Sequence, residues 1–390
     1  MRTRSSYCTV FLFFLILFVL GSLFWLLPDR AFSTNENRSL AGRPRWTIRR
    51  FFSGEVADAT NDYYADQFPA RDAFVRLKAL CELALGRGEN DGILLGRGGQ
   101  LARRRFAICR ADGEVVESMD RYDEKLLDAS IQGILRTEAS LKQPFTVLFT
   151  GRSIDVVADA FDYPDDYSRA LCSQISRGLS GSQVAVDTIA SLRRHAATGE
   201  EVYYRTDHHW TMLGAYYAYC ELLSHWGMGS EILPMDFFTR VTAEEPFYGT
   251  AYSAAGWSFV APDSLELWYG EDEGEYAIRA DGKALSGFYS TRHLSSHDGY
   301  ATYLDGVHEI VTVEHSGGGR PRLLLFKDSF ANSIAPFLAR HFDLVLLNLS
   351  STRTDYTDLS YYAREYDADR VLLLYTLENV ITTDTLSRLR

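Results

Sequence analysis

A chain of 390 residues with 52 acidic and 40 basic side chains carries a formal net charge of −12. That balance excludes the broad basic face that nucleic-acid phosphates require. Hydrophobic residues at 46% and charged residues at 24% exclude a largely disordered chain, and the length suits one α/β domain with an insertion, or two domains.

Residues 1–8 form a short tail containing Arg2 and Arg4. Thr9 to Leu27 is an uninterrupted apolar run. At ~1.5 Å per residue it reaches ~28 Å, close to the hydrocarbon thickness of a bilayer. Arg2, Arg4 and the α-amino group precede it, whereas Asp29 and Arg30 beyond it cancel. The positive-inside rule then places the tail in the cytoplasm, 9–27 across the membrane and the remainder outside. A cleaved signal peptide is the competing expectation, with Ala31-Phe32-Ser33 as a small-x-small site. The run exceeds a usual signal core, which favours a retained anchor.

Residues 28–110 read as a stalk and N-terminal segment. Helical periodicity runs from Asp58 to Leu85 and is interrupted at Gln67-Phe68-Pro69. Residues 111–390 read as the main domain, entered by a helix over Glu114 to Thr137 with Val115, Met119, Tyr122, Leu126 and Leu127 near one face. Short apolar strands then alternate with helices: strand Phe145–Thr150, helix Tyr167–Arg177, strand Val184–Val186, helix Thr188–His195, strand-like Glu201–Tyr204, helix Thr211–Trp226. Residues 235–319, rich in Gly, Ser, Thr and aromatics, read as a β-rich insertion. Alternation resumes with strand Arg322–Phe326, helix Asn332–Arg340, strand Phe342–Leu347, helix Asp358–Tyr366 and strand Arg370–Tyr375. This pattern predicts a mostly parallel α/β sheet covered on both faces. Of the five cysteines, Cys81, Cys109, Cys172 and Cys220 would lie outside the membrane and could pair in three ways. None has metal-ligand spacing, and small buried apolar residues are the simpler expectation.

Ligands gather beyond the carboxyl ends of parallel strands, and two polar clusters are predicted there. Asp207-His208-His209 follows Glu201–Tyr204, and Asp328-Ser329 follows Arg322–Phe326. Serine needs a base to take its proton, and a carboxylate fixes the base's tautomer. In an extended segment positions i and i+2 point the same way. Asp207 can then reach Nδ1 of His209, leaving Nε2 for Ser329 and turning His208 away. Read separately, Ser329 could be a helix N-cap and His209 a core histidine. Together at strand ends, they favour a Ser-His-Asp triad of Ser329, His209 and Asp207.

Thr206-Asp207-His208-His209-Trp210 resembles the signature of DHHW family proteins, and Lys327-Asp328-Ser329-Phe330 their later serine motif. Both are similar to the motifs of the SGNH-hydrolase-like alginate O-acetyltransferase family, in which an Asp-x-His-Trp segment precedes a Gly-Asp-Ser-Phe segment. That order is reversed relative to ordinary SGNH esterases. Asn35 to Ala41 and Asp66 to Arg71 resemble entry segments of the same group, so the likeness runs from about Phe32 to the C-terminus. The resemblance implies an SGNH-hydrolase-like (flavodoxin-like) domain with Asp207 and His209 as acid and base and Ser329 as nucleophile. It implies O-acetyltransfer to an extracytoplasmic polysaccharide, with acetyl groups passed across the bilayer by a membrane-bound O-acyltransferase. Lys327 stands where that family has glycine. Ordinary SGNH enzymes place an oxyanion-hole Asn after a later strand; Asn379, four residues past Tyr375, is the nearest match, with a turn residue or helix cap as the competing reading of it.

Water as acceptor would make the same chemistry an acetylesterase. The alternative is a non-catalytic glycan-binding or scaffolding protein that keeps the fold. A metal-dependent hydrolase on Asp207-His208-His209 would need further Asp clusters at other strand ends, and no Asp-x-Asp accompanies Asp328; no metal or cofactor is expected. Trp257, Trp268, Tyr300 and Tyr303 lie between the two motifs and are candidates for sugar stacking, with the core of the insertion as the competing placement.

Overall fold

The computed structural model describes residues 2–33, 38–90, 92–103, 106–109, 115–118, 123–161, 166–180, 185–296, 298–349 and 357–390. They form two compact units, 1–87 with 256–258, and 88–255 with 259–390.

The first unit is helical: α1 (Arg2–Leu26), α2 (Ile48–Phe52), α3 (Glu55–Gln67) and α4 (Arg71–Ala84). Within α1, Tyr7–Leu26 is long and apolar enough to cross a membrane. The predicted break at Gln67-Phe68-Pro69 separates α3 from α4, because the ring of Pro69 disfavours helical backbone at the residue before it. Of the entry segments read from the sequence, residues 34–37 lie outside the described residues.

In the second unit, a small antiparallel sheet contains β1 (Ile93–Leu95) and β2 (Leu101–Arg103). The helix expected from Glu114 begins only at Glu124. Val115–Ser118 instead pairs as a strand with Phe106–Cys109, as β-branched Val115-Val116 favours. Asp123 caps α5 (Glu124–Ser140) by accepting the N–H groups of Lys125 and Leu126.

The main sheet is built from β3 (Phe145–Thr150), β4 (Ala185–Asp187), β7 (Tyr276–Ala280), β8 (Lys283–Ala284), β9 (Ile310–His315), β10 (Arg322–Lys327), β11 (Asp343–Asn348) and β12 (Arg370–Thr376). A separate hairpin pairs β5 (Thr239–Phe247) with β6 (Asp263–Tyr269). The order in the main sheet is β8-β7-β9-β11-β10-β12-β3-β4. The strands β3, β4, β10, β11 and β12 run parallel, and β7, β8 and β9 extend the β11 edge antiparallel. The fold is therefore mixed α/β. The segment 235–319 is only partly a separate insertion, because its last three strands complete the main sheet. The near-continuous burial of β3, β10, β11 and β12 is what coverage of both faces demands. Besides α5 and a single turn at Ser153–Val156, the α-helices of this unit include α6 (Asp166–Gly178), α7 (Ile189–Ala197), α8 (Met212–His225), α9 (Thr250–Ala255), α10 (Ala331–Leu338), α11 (Leu359–Glu365) and α12 (Leu377–Thr382).

Glu201–Tyr204 does not join the sheet. Its segment folds back on itself: Tyr204 N–H donates to His209 O, Thr211 N–H donates to Val202 O, and Tyr203 bridges Trp210. Asp207 and His208 thus sit at the tip of a tight loop before α8. Cys8, Cys81, Cys172 and Cys220 are free thiols; the side chain of Cys109 lies outside the described set.

Candidate active site

Three neighbouring strands end at one cleft. Ser329 follows β10, Asn379 lies just past β12 in α12, and Gly151 follows β3. All three line a cavity of about 420 Å³, together with Arg103, His208, Thr250 and Glu378.

The Asp207 loop enters this cleft under several constraints. Asp263 accepts the backbone N–H groups of Arg205 and Thr206 and the Thr206 hydroxyl, fixing the chain just before Asp207. Asp207 Oδ1 accepts its own His209 backbone N–H at 3.0 Å and His209 Nδ1 at 2.6 Å. The carboxylate therefore reaches the imidazole through an Asx turn, not through the extended alternation expected from the sequence. For the same reason His208 is not turned away. Its ring packs on His209 at 3.8 Å, and its Nδ1 lies 2.8 Å from Thr250 Oγ1 in the cleft wall. Asp207 Oδ2 accepts the N–H and hydroxyl of Thr250. A Cβ on the preceding Gly249 would overlap Asp207, so only glycine permits this approach.

Burial pushes the Asp207 carboxyl up. The charges of His208 and His209, with the hydrogen bonds from His209 and Thr250, outweigh it and hold the group well below the usual carboxylate range. His209 Nε2 then lies 2.7 Å from Ser329 Oγ. The sequence-predicted trio of Ser329, His209 and Asp207 is thus brought into one continuous hydrogen-bonded line, with Asp207 and His209 buried.

Around the serine, Asp328 accepts the N–H groups of Phe330 and Thr376 and Nδ2 of Asn379, tying the β10 turn to the β12 turn. Burial raises the Asp328 carboxyl against those bonds. Asn379 thus sits beside the serine, with one Nδ2 hydrogen held by Asp328. The backbone N–H groups of Ser329 and Gly151 have no acceptor among the described residues. Lys327, at the family's glycine position, does not enter the cleft. Its Nζ is buried and donates to Asn332 Oδ1 at 2.7 Å, and burial brings the ammonium down to about 8 against the Asp328 charge.

The four candidate stacking aromatics are buried, and this corrects the expectation of a sugar-binding face. Trp257 Nε1 donates to Ala79 O. Trp268 packs against Tyr216, Phe238 and Phe337. The hydroxyl of Tyr303 donates to Glu266 O. Tyr300 is the one that meets the site: its ring stacks on His209 at 3.6 Å and 3°, and its hydroxyl bonds Ser333 Oγ, which also accepts Trp210 Nε1. We expect Trp257→Ala and Trp268→Ala each to lose ~3–5 kcal/mol of stability, as truncation of a buried aromatic does. Thermal melts that leave both variants at the wild-type midpoint would contradict their placement in the core.

Gly151, Gly249, Thr250 and Asp263 escaped sequence reasoning. Their partners lie tens of residues away, and no short motif marks them. The ligand atoms of Asp207, His208 and His209 lie within 4.8 Å of one another, close enough to share an ion. Both Asp207 oxygens and both His209 nitrogens are, however, already in hydrogen bonds, which an ion would have to displace.

Residues 183–348 match the DHHW protein family, a span containing both the Asp207 loop and Ser329; the likeness read from those motifs is shown. Among solved structures, the chain is similar to a DHHW family protein from Eubacterium siraeum DSM 15702. The identity is 20%, with TM-score 0.56, over 76% of this chain and 97% of that chain. It is also similar to Bacillus cereus PatB1 carrying a sulfonyl adduct, at 18% identity and TM-score 0.60, over 76% and 97%. The O-acetyltransferase domain of Pseudomonas putida AlgJ matches at 15% identity and TM-score 0.43, over 75% and 93%, too distant to carry an inference. The first two show the fold. No curated protein matches by sequence.

Proposed function

We propose that the chain is an SGNH-hydrolase-like enzyme, anchored by residues 9–27 with its main domain outside the cytoplasm, that moves acetyl groups to or from a polysaccharide through Ser329. The observation that carries this reading is the unbroken line Ser329 Oγ–His209 Nε2 at 2.7 Å and His209 Nδ1–Asp207 Oδ1 at 2.6 Å, at the edge of an open cleft. The likeness of the two motifs to the alginate O-acetyltransferase family adds the acetyl group and the glycan.

His209 Nε2 takes the Ser329 hydroxyl proton as Oγ attacks the acetyl carbonyl. The carbonyl oxygen becomes an oxyanion, for which the N–H groups of Ser329 and Gly151 and the second Nδ2 hydrogen of Asn379 are the available donors. Collapse breaks the bond to the donor's alcohol oxygen, which leaves with the proton from His209, and Ser329 holds the acetyl ester. A sugar hydroxyl, deprotonated by His209, attacks that ester and departs acetylated, while the returning proton restores Ser329. Water in the same position gives the esterase reaction. Asp207 stays charged throughout and holds Nδ1–H toward itself. A membrane-bound O-acyltransferase is the partner this reading calls for as acetyl source.

The test is mass spectrometry of the intact protein after exposure to an activated acetyl ester. A gain of one acetyl group mapping to the peptide that contains Ser329, absent in Ser329→Ala and blocked by prior treatment with a sulfonyl fluoride, is the expected result. PatB1 has been captured with a sulfonyl adduct, which makes that reagent class the natural probe. Acetylation elsewhere, with Ser329 unmodified, would leave a glycan-binding or scaffolding role as the better reading.

A further inference from the structure

The helical unit exposes apolar and cationic side chains that its own packing leaves largely uncovered. Before and within α2, Trp46 is 66% exposed, Ile48 81% and Phe52 83%, and Phe51 is exposed beside them. Arg45 and Arg49 alternate with these residues, are exposed, and have no acidic partner among the described residues. On α4 and its C-cap, Phe74, Leu77, Cys81 and Leu85 recur at helical spacing and are all exposed, an apolar stripe on which Phe68 meets the edge of the Phe74 ring and which otherwise faces outward.

The position of these groups relative to α1 is fixed by contacts within the same unit. Phe24, inside the membrane-length stretch Tyr7–Leu26, packs its ring 5.7 Å from Tyr63 and 5.0 Å from Tyr64 of α3. The first residues past α1 are clamped to the same helices. Asp29 accepts from Tyr63 and Arg43. Arg30 exchanges hydrogen bonds with Gln67 and pairs with Asp72 of α4. A side chain that touches Phe24 stands where the hydrocarbon gives way to headgroups. α3 is therefore held at that level, with α2 packed against it and α4 joined to it.

We propose that Trp46 to Phe52 and the apolar stripe of α4 lie in the headgroup layer of the bilayer spanned by α1, and that this layer is anionic phospholipid met by Arg45 and Arg49. The inference rests on the anchor reading of α1. Aromatic rings concentrate at the headgroup level, and arginine keeps its charged end among headgroups while its stem lies along apolar surface. A cation beside an anionic membrane surface is drawn to it. A soluble face of this composition would instead be a liability for association.

The full chain, one copy per nanodisc, would be photolabelled by a phospholipid carrying a diazirine on its acyl chain, in discs of phosphatidylcholine alone or mixed with phosphatidylglycerol. We expect label on peptides spanning 45–52 and 74–85 as well as on α1, stronger in the anionic discs. Arg45→Gln with Arg49→Gln should abolish that difference. Trp46→Ala with Phe51→Ala and Phe52→Ala should strip label from 45–52 while α1 remains labelled. All five substitutions are at exposed or surface positions, and near-ultraviolet circular dichroism checks folding. Label on α1 alone overturns the inference and leaves the anchor standing. Label on neither overturns both, and cross-links from these peptides to a second copy when two copies share a disc would assign the face to self-association instead.

Discussion

Asp207→Asn is expected to lower the rate of acetyl transfer about 10⁴-fold, because an amide no longer holds His209 in the tautomer that leaves Nε2 free to take the serine proton. In the structure Asp207 is saturated with donors: two from His209 on Oδ1, two from Thr250 on Oδ2. Asparagine has one acceptor oxygen. With that oxygen on the Thr250 N–H and hydroxyl, the new NH₂ faces His209, so Nδ1 must accept, the ring proton moves to Nε2, and the buried His209 backbone N–H loses its acceptor at a cost of about 1–3 kcal/mol. The variant should thus be measurably less stable as well as nearly inactive, and the two losses separate by assaying below its melting transition. Ser329→Ala and His209→Ala should fall to a similar residual rate, and combining them should add little, since the three act as a unit. Single-turnover acetylation of the Ser329 peptide measures the chemical step directly. A drop of less than tenfold in folded Asp207→Asn would remove Asp207 from the mechanism.

Parts of this arrangement were legible from residue order alone because local signals carried them. Past their first Arg, Arg322–Phe326 and Arg370–Tyr375 are uniformly apolar and short, which is how a strand covered on both faces reads, and both lie at the centre of the main sheet. The Asp207 and Ser329 motifs are compact and stood out together. What stayed hidden depended on contacts between distant residues. Ile310–His315 joins the main sheet antiparallel through a register with Asp343–Asn348, and Tyr276–Ala280 pairs antiparallel with Ile310–His315 in turn; nothing in their composition announces that edge. The strand-like look of Glu201–Tyr204 came from its apolar residues, yet these are buried by the folded-back loop and not by a ladder. Ring type does not say which way a side chain faces; burial assigns three of the four aromatics to packing, and the fourth, Tyr300, stacks on His209.

That fourth ring gives the second large effect. Tyr300 lies flat against His209, and its hydroxyl is fixed by Ser333, which in turn holds Trp210 of the same loop. The stack restricts the imidazole to the plane that joins Asp207 to Ser329. In the proposed mechanism it also presents an aromatic face to the imidazolium formed as His209 takes the serine proton, a cation–π contact of about 0.5–2 kcal/mol at a desolvated site. Because that proposed step creates the charge as the proton moves, the contact would act on the transition state more than on the ground state. Tyr300→Leu keeps most of the apolar volume, removes the face, and should lower kcat by roughly three- to thirty-fold with little change in KM. Tyr300→Phe keeps the face and loses only the bond to Ser333, so it should melt slightly earlier while retaining most of kcat. The comparison discriminates because a purely structural tyrosine would make both variants lose stability and activity in proportion. If Tyr300→Phe is as slow as Tyr300→Leu, the hydroxyl and its link to Trp210 matter and the ring face does not. If both match the wild type, Tyr300 is packing and the base needs no help from it.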